Sequence, residues 1–290
     1  MPDNPQSIAA PYFALPDHRV LTLIGRDAIA FAQAQFMNDV GTLTPGYWQW
    51  NGWLTPKGRL IALFALVIRD AETVYLLLPD ADPAMLAMQL QRFVFRSKVV
   101  ISPSTQLSVS GSFNQSPDAS GNRVSTLGDN MFELDVGGEM GFRTLRIGDS
   151  PAHFTRAEAE RWRATDFAYG LPRLAESQSG QWTPQQLSLE RLHAYSVKKG
   201  CYPGQEIVAR THFLGQAKRG LALFEAAINV AEGAEIHGDA QQALGTVVGV
   251  AQHGGDCLAL AVLPLSRDPG PLRAGDVALT QRAMVDGLAR

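Results

Sequence analysis

Cysteine is scarce in this chain. There are two in 290 residues, Cys201 and Cys257, far apart and in neither a C-x-x-C nor a Cys/His spacing, so no zinc site or disulfide framework is offered. Such usage fits a reducing compartment. Long apolar runs are missing too: the longest, Leu60 to Ile68, falls well short of the ~20 residues that a membrane-spanning helix needs. The first twenty residues show no basic segment followed by an apolar core, so no signal peptide is expected. Charge is sparse at 18%, and its balance of −3 gives no global reason to expect nucleic acid or membrane as a partner. Neither an internal repeat nor a heptad pattern is visible. What remains is the profile of a cytoplasmic globular protein, 46% hydrophobic and long enough for two or three compact units.

Unusual chemistry is concentrated in one stretch, Lys198 to Arg219, KKGCYPGQEIVARTHFLGQAKR. Five basic residues (Lys198, Lys199, Arg210, Lys218, Arg219) stand there against one acid, Glu206, a local charge of +4. Pro203 can open a helix, because its missing N–H would be an orphan there anyway. Gly200 and Gly204 permit backbone conformations or close approaches that a Cβ would forbid. Cys201 is then expected at a glycine turn ahead of a helix, beside Lys198 and Lys199. The helix end and both ammonium groups would favour thiolate over thiol.

The same residues carry a family likeness. Lys199-Gly200-Cys201-Tyr202-x-Gly204-Gln205-Glu206, followed by Val208-Ala209-Arg210 and Lys218-Arg219, resembles the signature of the YgfZ family. These are folate-binding proteins of iron–sulfur cluster maintenance and tRNA modification, related to the aminomethyltransferase (T-protein) of the glycine cleavage system. The resemblance implies a ring-like folate-binding body with tetrahydrofolate in a central cavity, and a C-terminal barrel beside it. It also implies a folate-site role for Trp162, by its spacing from Cys201, and for His18, which stands where the family carries another tryptophan. Asp39, in the Asn38-Asp39 step, matches the position of a catalytic acid in T-proteins. Gly138-Glu139-Met140-Gly141-Phe142 resembles in part a segment that holds the folate ring there; Arg143 replaces its last acid.

Taken in order, 1–17 reads as an extended arm and Val20–Ile24 as a strand. Arg26–Phe36 reads as a helix with Asp27 in its first turn. Tyr47–Leu54 is an aromatic strand, Thr55–Gly58 a turn, and Arg59–Arg69 with Glu72–Leu78 a hairpin. Asp82-Pro83 caps a helix to about Ser97, with Leu86, Leu90, Phe93 and Val94 as its core stripe. Strands are expected at 99–101, 106–111 and 131–136, around a surface loop at 111–123. Thr155-x-x-Glu158 is a capping box for a helix over 156–169, ended by Gly170. Thr183-Pro184 opens another, to about His193. Beyond Arg219 come short apolar strands divided by glycines, and Cys257 reads as a buried structural residue in one of them. The fold class is therefore α+β, with a folate-binding body over 1–219 and a small β-barrel over 220–290.

The resulting expectation is a tetrahydrofolate-binding accessory protein that supports iron–sulfur enzymes, tRNA-modifying ones included. Its partners would be folate and iron–sulfur enzymes or assembly proteins. The site residues are Cys201 and Asp39 for any catalysis, and Trp162, Lys199, Gly200, Tyr202, Gly204, Gln205, Glu206, Arg210, Glu139 and His18 for the cofactor. A flat pterin stacks on aromatic faces and its glutamate carboxylates pair with Lys and Arg. A folate-dependent aminomethyltransferase is the second reading and needs an acid at Asp39. RNA binding ranks third, because no wider basic face or interleaved aromatic platform accompanies the basic stretch.

Overall fold

The computed structural model describes residues 12–149, 152–213, 215, 217–238, 242–267 and 270–290. The chain opens with β1 (Phe13–Ala14) and β2 (Arg19–Ile24), then α1 (Ala28–Gln35). A meander of β3 (Tyr47–Leu54), β4 (Leu60–Ile68) and β5 (Thr73–Leu78) precedes α2 (Pro83–Gln91) and β6 (Val100–Pro103). Next come β7 (Ser108–Ser112), β8 (Ser125–Gly128), β9 (Met131–Asp135) and β10 (Thr144–Gly148), leading to α3 (Arg156–Ala168). After α4 (Gln205–Phe213) follow β11 (Arg219–Ala226), β12 (Glu235–His237), β13 (Ala243–His253), β14 (Asp256–Pro264), β15 (Leu272–Ala274) and β16 (Val277–Arg282). They form two antiparallel five-stranded sheets, ordered β3-β4-β5-β2-β6 and β1-β7-β10-β9-β8, and a closed barrel, β11-β14-β13-β12-β15-β16.

Side-chain alternation explains the layers. In β4, Leu63, Ala65 and Val67 join a central core, while Phe64, Leu66 and Ile68 join an outer one with α1 and α2. With both faces covered, that strand has no place for a polar residue. The central core also takes Trp48 and Trp50 from β3, Val109 and Leu145 from the second sheet, and Trp162 and Phe167 from α3. Barrel strands alternate likewise: Leu258, Leu260 and Val262 pack outward on that core, and Cys257, Ala259 and Ala261 fill the barrel. Cys257 is 1% exposed, as a structural residue should be.

Several local expectations hold. Asp82 Oδ1 accepts from the Ala84 and Met85 N–H groups, so that cap is formed. α3 ends in a Schellman pair, Leu171 N–H to Asp166 C=O and Gly170 N–H to Phe167 C=O, with Gly170 at φ 69°. Others are corrected. α1 begins at Ala28 rather than Arg26, so Asp27 stands at the N-cap position and not in the first turn, and its carboxylate accepts from the Lys98 N–H. α2 stops at Gln91, and Phe93 is 46% exposed rather than core. Thr155 hydrogen-bonds the Glu158 carboxylate directly, so the capping box is not closed on backbone. A reciprocal box forms instead between Thr183 and Gln186. Past it lies a single 3-10 turn (Leu189–Leu192) rather than an α-helix, bracketed by left-handed Ser188 and His193. Strands β8 and β10 had no clear sequence signal, and the arm contributes β1; its residues 1–11 lie outside the described set. Among the described residues no helix is long and apolar enough to cross a membrane.

After β16 the chain leaves the barrel and returns to the first body. Leu288 is 2% exposed, and its carbonyl accepts from Trp50 Nε1 at 2.8 Å. Arg290 donates to the Asp135 and Gly137 carbonyls. This segment is part of the core. Leu288→Ala should therefore lower the unfolding free energy by about 2–4 kcal/mol, the cost of a buried Leu-to-Ala change. Urea unfolding measures it, and a loss below about 0.5 kcal/mol would place the segment outside the cooperative core.

Candidate functional site

Where the two sheets, α3 and the C-terminal segment meet, they leave a cavity of about 20 Å³. It is lined by His18, Trp50, Leu77, Arg143, Trp162 and Asp166, among others. That is room for about one water. A more open pocket of about 200 Å³, with Pro16, Phe154, Arg163 and Arg173 in its wall, shares His18 and forms the outer side. Trp162 is held by contacts on several sides: Phe13 and Phe113 at 5.8 and 5.6 Å between ring centroids, and the Arg143 guanidinium 3.9 Å from its own centroid.

The polar groups around the cavity form a buried ion network. Asp166, 2% exposed, accepts from Arg143 Nη2 at 2.5 Å and Arg173 Nη1 at 3.1 Å. Arg173 also clasps Asp80 at 2.9 Å. Burial works against the Arg173 charge, but Asp80 and Asp166 outweigh it and hold its pKa above the ordinary value. His18 is the converse: burial, then the charges of Arg173, Arg143 and Arg163, keep its pKa well below 6.5, so the imidazole is neutral. Of the buried polar atoms without a protein partner among the described residues, three belong to side chains that line this cavity: His18 Nδ1, Arg143 Nε and Arg143 Nη1. An unpaired buried polar group costs about 1–3 kcal/mol. Aromatic walls with an unpaired polar edge fit a flat, heteroatom-bearing ring, though in this closed state a ring of that size enters only if side chains move.

The motif loop lies in a second cluster and is built differently from its sequence expectation. Lys199 is 6% exposed and turned inward: its Nζ donates to the carbonyls of Gln33 and Phe36 at 2.6 Å and of Asn38 at 3.1 Å. It thus caps the C-terminal end of α1, where a cation is favourable. The Asn38 amide in turn donates to the Trp50 carbonyl at 2.9 Å, which ties this loop to a wall of the cavity. Gly204 lies at φ 81°, and a Cβ there would stand 2.6 Å from the Thr55 carbonyl oxygen. Glycine is therefore required for the motif to dock on the Thr55–Gly58 turn. Gly200 has open space and no such demand. Tyr202 is buried, and Gln205 donates to the Lys199 carbonyl at 3.0 Å.

The sequence-predicted residues thus separate. His18 and Trp162 line the cavity; Lys199, Tyr202, Gly204 and Gln205 shape the loop. Cys201, exposed, precedes α4 by the turn Tyr202–Gly204, with Lys198 exposed nearby and Lys199 directed elsewhere. Glu206 and Arg210 are exposed on α4. Asp39 is not in the cavity lining; its Oδ1 accepts from the Gln33 amide at 2.9 Å. Glu139 sits on the turn of the β9–β10 hairpin and accepts from the Asp286 N–H. Trp50, Asp166 and Arg173 were missed by sequence reasoning. Asp166 alone left a signal, a lone acid four residues after Trp162 on the buried face of α3.

Burial pushes the Lys199 pKa down to about 8, with Asp39 opposing. Between that value and the ordinary 10.5 the unfolded chain binds more protons at this position, so its contribution to stability rises with pH. Lys199→Met should cost about 2–3 kcal/mol at pH 7, from the lost charged hydrogen bonds. The gap between wild type and variant should widen as pH rises from 8 toward 10.5. Urea unfolding across that range measures it, and a narrowing gap would mean that the ammonium form is the favoured one.

No family model matches the chain. It is 26% identical to the tRNA-modifying protein YgfZ of Serratia proteamaculans (strain 568), with 93% of this chain and 90% of that protein covered. It is 28% identical to the tRNA-modifying protein YgfZ of Klebsiella pneumoniae (strain 342), over 76% and 73%. Among solved structures, the glycine cleavage system aminomethyltransferase T from Bartonella henselae superposes with a TM-score of 0.72 at 12% identity, over 96% of this chain and 85% of that one. The chain is thus a homologue of the YgfZ proteins over most of its length, built on the fold of the glycine cleavage T-protein.

Proposed function

We propose that this protein binds tetrahydrofolate in the cavity between Trp50 and Trp162 and serves as an accessory factor for iron–sulfur enzymes, including those that modify tRNA. The observation that carries the reading is the aromatic cavity edged by three unpaired polar atoms, set in a T-protein-like fold. The YgfZ homology supports the tRNA-modification side. His18, Trp50, Arg143 and Trp162 would hold the pterin, and the pocket beyond His18 would receive the rest of the molecule. Bound there, tetrahydrofolate would supply a carrier for one-carbon units. The chain's own part is to orient the ring, exclude water and keep His18 neutral beside it. The aminomethyltransferase reading would rely on Asp39, which accepts from Gln33 and is not among the residues lining this cavity, and this counts against it.

Isothermal titration tests the reading. Wild type should bind tetrahydrofolate, and no binding at millimolar ligand would overturn the folate assignment. Trp162→Ala is a poor probe, because truncating a buried tryptophan costs about 3–5 kcal/mol of stability. Trp162→Phe should keep the fold and lose about threefold to tenfold in affinity. Equal affinity would move the site elsewhere. Cys201 tests the accessory role. Being exposed, Cys201→Ala should leave the melting temperature within a few degrees of wild type, yet fail to restore iron–sulfur enzyme activity in cells lacking the native gene. Full rescue would remove the thiol from the function.

A further inference from the structure

The geometry points to Arg143 as the residue that sets which edge of a ring this cavity accepts. We infer that it selects ligands presenting a carbonyl or other hydrogen-bond acceptor and rejects those presenting an amino group at the same place. The inference rests on the folate reading above and sharpens it to the oxo-bearing edge of the pteridine.

Three observations carry it. First, Arg143 is 3% exposed, yet only its Nη2 has partners, Asp166 Oδ1 and the Trp162 carbonyl. Nε and Nη1, which together carry most of its N–H groups, have none. A guanidinium has no acceptor, so whatever completes this edge must offer lone pairs. The closed cavity holds about one water, too little to pair all of these N–H groups. Second, the anchoring is one-sided. Asp166 lines the cavity, but its Oδ1 already accepts from Arg143 and its Oδ2 from Arg173, which is fixed in turn by Asp80, so both of its oxygens are engaged. Third, the surrounding charge agrees in sign. Arg173, Arg143 and Arg163 all act to keep His18 unprotonated, and the same field disfavours a ligand that brings N–H donors or a positive charge. The guanidinium also lies 3.9 Å from the Trp162 ring centroid, so the donors sit beside the aromatic wall that a flat ligand would use.

Tetrahydrofolate and tetrahydroaminopterin differ at this edge: a 4-oxo acceptor beside an N3–H donor in the first, a 4-amino donor beside a bare N3 acceptor in the second, so the acceptor is moved off position 4. Titration calorimetry of the purified full chain with each, under reducing conditions at pH 7, reads the preference. Wild type should favour the 4-oxo compound by about tenfold to a hundredfold, the range expected for hydrogen bonds to a charged group. Arg143→Gln, whose amide can still donate to Asp166, should bring the two affinities within about twofold, and Arg143→Lys should keep part of the preference. Circular dichroism and thermal melting report whether each variant folds; if neither does, the wild-type preference alone decides. Wild type binding both compounds equally, or the 4-amino compound more tightly, would overturn the inference and leave the folate reading standing. An unchanged preference in folded Arg143→Gln would overturn it as well. No binding of either compound by wild type would remove the folate reading, and the edge selection with it.

Discussion

A single buried carboxylate, Asp166, is what the centre of the molecule depends on. It projects from α3 and is gripped by Arg143, just ahead of β10, the central strand of the second sheet, and by Arg173, from the segment after the same helix. Arg173 carries the linkage on to Asp80 at the end of β5. Both sheets and the helix between them are thereby tied through one anion. Buried ion pairs of this kind are weak stabilisers overall, because desolvation offsets most of the attraction. Losing one partner leaves an uncompensated buried charge, a penalty of about 3–5 kcal/mol, so alternative packings that break the network are strongly disfavoured.

The network also decides the character of the cavity. Burial, and then the charges of Arg173, Arg143 and Arg163, keep the His18 pKa well below its ordinary value, so the polar edge of the cavity is guanidinium donors and a neutral imidazole. Had the residue at Arg143 been an acid, Asp166 would have faced a like charge with Arg173 alone to offset it. The arginine and the aspartate therefore belong together.

Lys199 forms the second tie. The motif that makes the sequence recognisable uses its most basic-looking residue to close the carbonyl end of α1, and its Gly204 to dock on the Thr55–Gly58 turn. Both contacts are with the first sheet and its helix, and Asn38 passes the connection to Trp50 at the cavity wall. Much of the signature is thus architecture that presents Cys201, with the exposed chemistry left to the thiol, Lys198, Glu206 and Arg210.

Local rules acting over a few residues settled much of this protein from sequence. The aromatic strand β3, the hairpin of β4 and β5, the Asp82 cap, the Gly170 stop and the strand-rich C-terminal barrel all follow from periodicity, turn chemistry and capping, which need no distant partner. The KGCYPGQE motif likewise pointed to its relatives. Local rules failed where a distant group competed for the same atom: Asp27, expected in the first turn of α1, lies ahead of the helix with its carboxylate taken by the Lys98 N–H. The inward turn of Lys199 was equally invisible, since its acceptor at Phe36 lies 163 residues away. The cavity was legible only in part: the resemblance marked His18 and Trp162, whereas Trp50 and Leu288 reach its wall from distant segments. A lysine, an arginine and a histidine read as solvated charges in a one-dimensional string. Only the folded chain determines how much water each one keeps and which carbonyl or carboxylate replaces it, and burial then sets the charge that each carries.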